Sequence, residues 1–126
     1  TMMAQNFHWN VTGMAFGPLH DLFQKIYEDH FVAQDDLAER VKALDAHAGG
    51  TLADMVKRSK VIEHDGHASA EEMIKTMQTA QETLASTLAG AGELAAEHGD
   101  TLTEDLCIAR GQEHEKFAWF LTSHLR

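Results

Sequence analysis

The sequence predicts an all-α fold: four long helices, joined by two short connections and by one long crossover between the second and the third. Three observations carry this expectation. Ala, Leu, Glu, Asp and Lys are abundant while Pro occurs once. Apolar residues recur at steps of three and four, the spacing that puts side chains on one helix face. Gly residues and capping residues fall between these stretches, where helices stop and start. At 126 residues, the chain reads as a single domain, 1–126, long enough to bury a proper core.

The first segment, Thr1-Met2-Met3-Ala4-Gln5-Asn6-Phe7-His8-Trp9, is helical in character from its first residue and has neither a start Met nor an N-cap. It predicts that the N-terminal part of the first helix lies upstream. Asn10-Val11-Thr12-Gly13 reads as its stop. Gly17-Pro18 opens the second helix, with Pro in the first turn, where its missing N–H costs nothing. Leu19, Leu22, Phe23, Ile26, Tyr27, His30, Ala33, Leu37, Val41 and Leu44 then keep helical spacing for about seven turns. The crossover, Asp45 to Ala68, contains Gly49-Gly50 and His64-Asp65-Gly66-His67. Within it Thr51-Leu52-Ala53-Asp54 resembles an N-cap, and Leu52, Met55, Val56 and Ser59 suggest a short helix.

Ser69-Ala70-Glu71-Glu72 is a capping box that starts the third long helix. Its apolar positions are Met73, Met77, Ala80, Leu84, Leu88, Ala91 and Ala95, and His98-Gly99 ends it with a left-handed cap. Thr101-Leu102-Thr103-Glu104 reads as a second capping box, opening a last helix through Leu106, Ile108, Phe117, Phe120, Leu121 and Leu125. Short connections imply antiparallel neighbours, and the long one can run the length of a bundle. That connectivity is the ferritin-like one, with a short helix in the crossover.

Composition bounds the function. No run of eighteen apolar residues marks a membrane span. The lone Cys107 rules out an internal disulfide framework, and no signal peptide is visible, so a reducing cytoplasm is the natural setting. The formal net charge of −10 argues against a DNA-binding surface, whose affinity rests on Lys and Arg neutralising phosphates. It suits traffic in cations, which clustered carboxylates concentrate.

Four metal-type side chains stand out among the acids and the nine His: His8, His20, Asp35 and Glu39. The last three fall within roughly 100° of one another around the second helix, yet His20 and Asp35 are separated by roughly 22 Å along its axis. No single ion reaches both within one helix. Either the pattern is a scatter of surface residues, or two copies of the second helix pack antiparallel about a two-fold axis. The second arrangement brings His20 of one copy to Asp35 and Glu39 of the other and makes two equivalent sites. His8, twelve residues before His20 across a turn, can converge on it from its own chain. Gln24 would also face such a site, as a neutral amide. Imidazole with carboxylate suits iron or zinc. The Glu-x-x-His signature of an intra-bundle di-iron centre occurs nowhere in the chain.

The residues around these positions resemble a known family. His8-Trp9-Asn10-Val11-Thr12-Gly13, Phe16, Leu19-His20-Asp21-Leu22-Phe23 and Asp35-Asp36-Leu37-Ala38-Glu39-Arg40-Val41-Lys42-Ala43-Leu44 are similar to the Dps proteins, or mini-ferritins. Weaker likeness runs through Gly49-Gly50, Ser59, Glu104-Asp105 and Lys116 to Leu121. The resemblance implies a hollow dodecamer in the bacterial cytoplasm that oxidises Fe(II), preferentially with hydrogen peroxide, and stores Fe(III) inside, so protecting DNA. It further implies that His8 and His20 come from one subunit and Asp35 and Glu39 from its partner, with Glu39 on the tighter iron. Gln24 departs from the family's Asp or Glu and puts a second iron position in doubt.

The resemblance also points to Trp9 as a sink for oxidising equivalents, against plain packing by a large aromatic, with Tyr27 as a weaker candidate. Asp100, Glu104 and Asp105 resemble the carboxylates of the family's three-fold pores. The alternative is that acids there simply favour a helix dipole. Asp21 and Glu28 could nucleate mineral, or belong to a solvated face. Nucleoid condensation is the alternative function. It would need basic tails, which here could lie only in an unseen N-terminal segment. The loop Glu63-His64-Asp65-Gly66-His67 reads as a polar loop sooner than as an accessory metal site. Gly90-Ala91-Gly92-Glu93-Leu94-Ala95 matches a dinucleotide fingerprint only formally, since no strand precedes it.

Overall fold

The computed structural model describes residues 1–126 as five helices with no strand. These are α1 (Met2–Asn10), α2 (Phe16–Ala43), α3 (Leu52–Arg58), α4 (Ala70–Glu97) and α5 (Thr101–Ser123). α1 packs along α2 and α4 along α5; weaker α1–α4 and α2–α5 contacts join the two pairs. The element order and the crossover with its short helix are those expected from the sequence.

The helix ends written in local sequence form as read. Thr51 caps α3 by accepting a hydrogen bond from the N–H of Asp54 at 3.1 Å. Ser69 and Glu72 form the reciprocal capping box of α4, which satisfies donors that a helix start otherwise leaves unpaired. Gly99 follows α4 with φ +68, a left-handed conformation that suits a residue without Cβ.

The start of α5 differs from the expectation. Asp100, not Thr101, is the N-cap, and its carboxylate accepts from the N–H of Thr103 at 3.1 Å. Asp is a stronger N-cap than Thr, and Arg40, at the far end of α2, braces it by donating to Asp100 Oδ1 at 2.9 Å and to Thr103 Oγ1 at 2.8 Å.

The main apolar core gathers Ala4, Phe7 and Val11 of α1 and its end, Leu19, Leu22, Phe23 and Ile26 of α2, Met73, Ile74, Met77 and Ala80 of α4, and Phe117 and Leu121 of α5. It lies at the end of the bundle where all four long elements are present. Toward the other end of the bundle the described residues are those of α2, α4 and α5. There Leu37, Leu84 and Leu88 are half-buried, while Val41, Leu44 and Ala91 are exposed. Ile108 and Leu125 of the last helical pattern are also exposed. α3 buries none of its residues, so its apolar positions are capped and helical but uncovered.

Candidate metal centre

His8 sits in the last turn of α1 and His20 near the start of α2, on either side of the turn through Gly13, whose φ of +104 favours Gly. Their rings stack with centroids 3.7 Å apart and planes 21° off parallel. Each ring holds the other's backbone: His8 Nδ1 lies 2.8 Å from the carbonyl oxygen of His20, and His20 Nδ1 lies 2.8 Å from that of His8. A carbonyl oxygen only accepts, so both Nδ1 atoms carry the proton. Both Nε2 atoms are left with a free lone pair. Fixing a tautomer and ring direction through the second nitrogen is how proteins prepare imidazoles to ligate metal. Tyr27 meets the His8 ring edge-on at 5.3 Å, and Phe16 covers His20 at 5.1 Å.

The carboxylates stand elsewhere. Asp35 and Glu39 are one turn apart on the exposed surface of α2. They are fifteen residues or more beyond His20, roughly 22 Å along the axis. No three His, Cys, Asp or Glu side chains of the isolated chain come close enough to share an ion. The arrangement therefore consists of two half-sites: an imidazole pair at one end of α2 and a carboxylate pair toward the other. Between them, one turn before Asp35, Phe31 lies on the same side of the helix and is 63% exposed, an apolar group that sequence reading passed over.

Gln24 is half-buried, and its amide N–H donates to Glu28 Oε1 at 2.7 Å. It lies one turn beyond His20 without adding charge. Trp9 follows His8 directly and is 62% exposed, so in the isolated chain it packs against little. Asp100 is engaged as a cap and as the partner of Arg40. Its carboxyl is held below the usual carboxylate range by the hydroxyl and N–H of Thr103, with Arg40 adding to the effect. Glu104 is half-buried and Asp105 exposed.

The crossover histidines serve local structure. His64 Nδ1 accepts from the N–H of Gly66 at 3.0 Å, its ring abuts Phe7, and its carbonyl accepts from Asn6. Asp65 closes a turn onto the N–H of His67 at 2.8 Å.

A model described as the ferritin-like domain matches residues 1–126. The DNA protection during starvation protein of Brevibacillus brevis is 34% identical over 95% of this chain and 80% of its own length. This chain belongs to the Dps family of ferritin-like proteins. Solved Dps structures agree with that membership. The Dps crystal structure from Staphylococcus aureus superposes with a TM-score of 0.95 at 32% identity, covering 99% of this chain and 84% of that one. The Dps protein of Vibrio cholerae O1 superposes at 0.94 with 30% identity, covering 99% and 79%, and is described as a member of a broad superfamily of ferritin-like diiron-carboxylate proteins. Membership of a Dps fold carries iron binding as the general expectation, and the imidazole–carboxylate donor set fits that ion. No helix is long and apolar enough to cross a membrane.

Sequence reading missed one further polar cluster. Asp29, His30, Gln81, Arg110 and His114 meet in the middle of the bundle from α2, α4 and α5. His30 stood out only as an inward position in an otherwise apolar series, and nothing local marks its partners.

Proposed function

We propose that this chain is the subunit of an Fe(II)-oxidising mini-ferritin whose ferroxidase centre is completed between two copies. The separation of the half-sites on α2 is the observation that carries this reading. Antiparallel pairing about a two-fold axis that crosses α2 between His20 and Asp35 brings His8 and His20 of one subunit to Asp35 and Glu39 of the other. Such an interface holds two identical centres. The mutual clamp of the two imidazoles supports it further, because both Nε2 lone pairs are free and their rings cannot turn away.

Fe(II) is the substrate of this reaction and hydrogen peroxide the proposed oxidant. Two Fe(II) give one electron each to one peroxide, which takes two protons and leaves as two waters. The chain's own contribution is to position and neutralise. The carboxylates of Asp35 and Glu39 favour the more highly charged ferric product, and His8 and His20 complete the donor set. Gln24 lowers the negative charge beside the second position, so the second iron binds more weakly than the first. Trp9, beside His8, is placed to take up an oxidising equivalent. Twelve subunits enclosing a ferric store, with Asp100, Glu104 and Asp105 at an entry for cations, complete the reading. The charge of −10 favours cation uptake over direct contact with DNA.

Rapid-mixing measurement of peroxide-driven Fe(II) oxidation tests the proposal. Glu39→Ala and Asp35→Ala should abolish the fast phase while the assembly, followed by size-exclusion chromatography, stays intact. Unchanged rates in both variants would refute it.

A further inference from the structure

The polar cluster at the middle of the bundle is a closed ring of hydrogen bonds, and its polarity can be worked out atom by atom. Asp29, as a carboxylate, only accepts. His30 Nδ1, 3.1 Å from Asp29 Oδ2, must therefore carry a proton. His30 Nε2 lies 3.1 Å from the amide nitrogen of Gln81 and 3.2 Å from its Oε1; in the neutral ring it holds a lone pair and accepts from the amide N–H. That orientation turns Gln81 Oε1 toward His114 Nδ1, 2.7 Å away, which must donate. His114 Nε2 is left to accept, and the group facing it is Arg110 Nη2 at 3.5 Å. Arg110 closes the ring by forking onto Asp29 through Nη1 at 3.1 Å and Nη2 at 2.6 Å.

The direction can equally be derived from the other end. Arg only donates, so His114 Nε2 must accept, its Nδ1 must donate, and the amide of Gln81 must point its N–H at His30. Both routes give one answer: two neutral imidazoles, each in the Nδ1–H tautomer. His30, Gln81, Arg110 and His114 are all buried, so water does not readily replace a lost partner.

An extra proton fits this ring poorly. Protonating His30 puts an N–H 3.1 Å from the amide nitrogen of Gln81, and the one acceptor in reach, Gln81 Oε1 at 3.2 Å, is already held by His114 Nδ1 at 2.7 Å. Two donors then share that oxygen, and a second buried cation stands beside Arg110. Protonating His114 turns its Nε2 into a donor facing Arg110, which cannot accept.

We propose that this ring is an acid-opened latch, which pins α5 to α2 and α4 while both imidazoles are neutral and frees α5 when either takes up a proton. The charged and titratable side chains facing the two imidazoles are Asp29 from α2, Arg110 from α5 and each imidazole itself. α4 contributes only the neutral Gln81 and the Met77 sulfur. Asp29 is the one anion, and Arg110 already occupies it. Burial lowers the pKa of His30, and burial together with the His30 and Arg110 cations lowers that of His114 to about 4.

The sign follows by linkage. A histidine of lowered folded pKa binds fewer protons folded than unfolded below its ordinary 6.5. Its contribution is therefore full above that value and is lost as pH falls toward 4. For one proton, the opening equilibrium of α5 should rise about tenfold per pH unit across that window.

Two measurements on the full chain test the latch. Long-range proton–nitrogen NMR on histidine-labelled wild type at pH 7 should find His30 and His114 both in the Nδ1–H tautomer. Hydrogen exchange of α5 peptides, corrected for intrinsic rates, should accelerate between pH 6.5 and 4. The acceleration should be absent from the double variant His30→Gln, His114→Gln, whose amides can donate and accept but take no proton. If that variant does not fold, the wild-type tautomers decide. An Nε2–H tautomer at either position overturns the proposal, as does α5 exchange that is flat over this range. An acceleration that persists undiminished in a folded double variant overturns it too.

Discussion

Replacing Phe7 by Ala separates the packing that holds the imidazole half-site from the site itself. Phe7 is fully buried and meets Phe23 and His64 edge-on, each at 5.6 Å. Truncating a phenylalanine in such a place costs about 3–5 kcal/mol, through lost transfer energy and the cavity left behind. Against a typical domain stability of about 5–15 kcal/mol, that is a large share.

The loss is not spread evenly. α1 is held to the bundle by Ala4, Phe7 and Val11, which lie in the core. Without the ring of Phe7, α1 should detach before α2, α4 and α5 unfold. His8 then leaves the carbonyl of His20, and the paired imidazoles lose their fixed direction. Urea unfolding followed by circular dichroism should show the destabilisation. Peroxide-driven Fe(II) oxidation should slow at urea concentrations where most helix remains. A loss below about 1 kcal/mol, well under the range for a buried aromatic, would refute the reasoning, as would oxidation that fails only with global unfolding.

Three other substitutions probe separate links. Phe31→Glu places a charge on the exposed α2 face between the half-sites; subunit association measured by analytical ultracentrifugation should weaken, and Fe(II) oxidation should fall with it even though Phe31 ligates nothing. Gly66→Ala should cost more than about 1 kcal/mol in thermal unfolding. At φ +87 its Cβ would stand 2.6 Å from Asn6 Oδ1, and moving Asn6 breaks its bonds to His64 and Asn10. An unchanged midpoint would contradict that geometry. Ser69→Ala removes the capping box of α4 and should cost about 1 kcal/mol in urea, with early fraying of that helix seen by hydrogen exchange.

Much of the fold was legible because its signals are short-range. The cap at Thr51, the Ser69–Glu72 box and the stop at Gly99 each depend on residues within a few positions, so composition and spacing suffice to read them. The start of α5 was misread by one residue because two caps compete there: Asp100, the stronger N-cap and braced by Arg40 from sixty residues away, wins over Thr101. Val41, Leu44 and Ala91 follow a helical repeat that predicts burial, yet are exposed among residues 1–126. The repeat marks which side of a helix faces inward; it does not mark whether anything lies opposite.

The candidate site divides along the same line. The sequence alone determined that His20, Asp35 and Glu39 share one side of α2 and stand too far apart for one ion, because helical rise and turn are constants of the backbone. Family likeness then named the chemistry. Only the tertiary structure decided that His8 and His20 stack and hold each other's carbonyls. Only it brought Asp29, His30, Gln81, Arg110 and His114 together in one ring. Those contacts join residues on different helices, and the distance between two helix faces is set by packing.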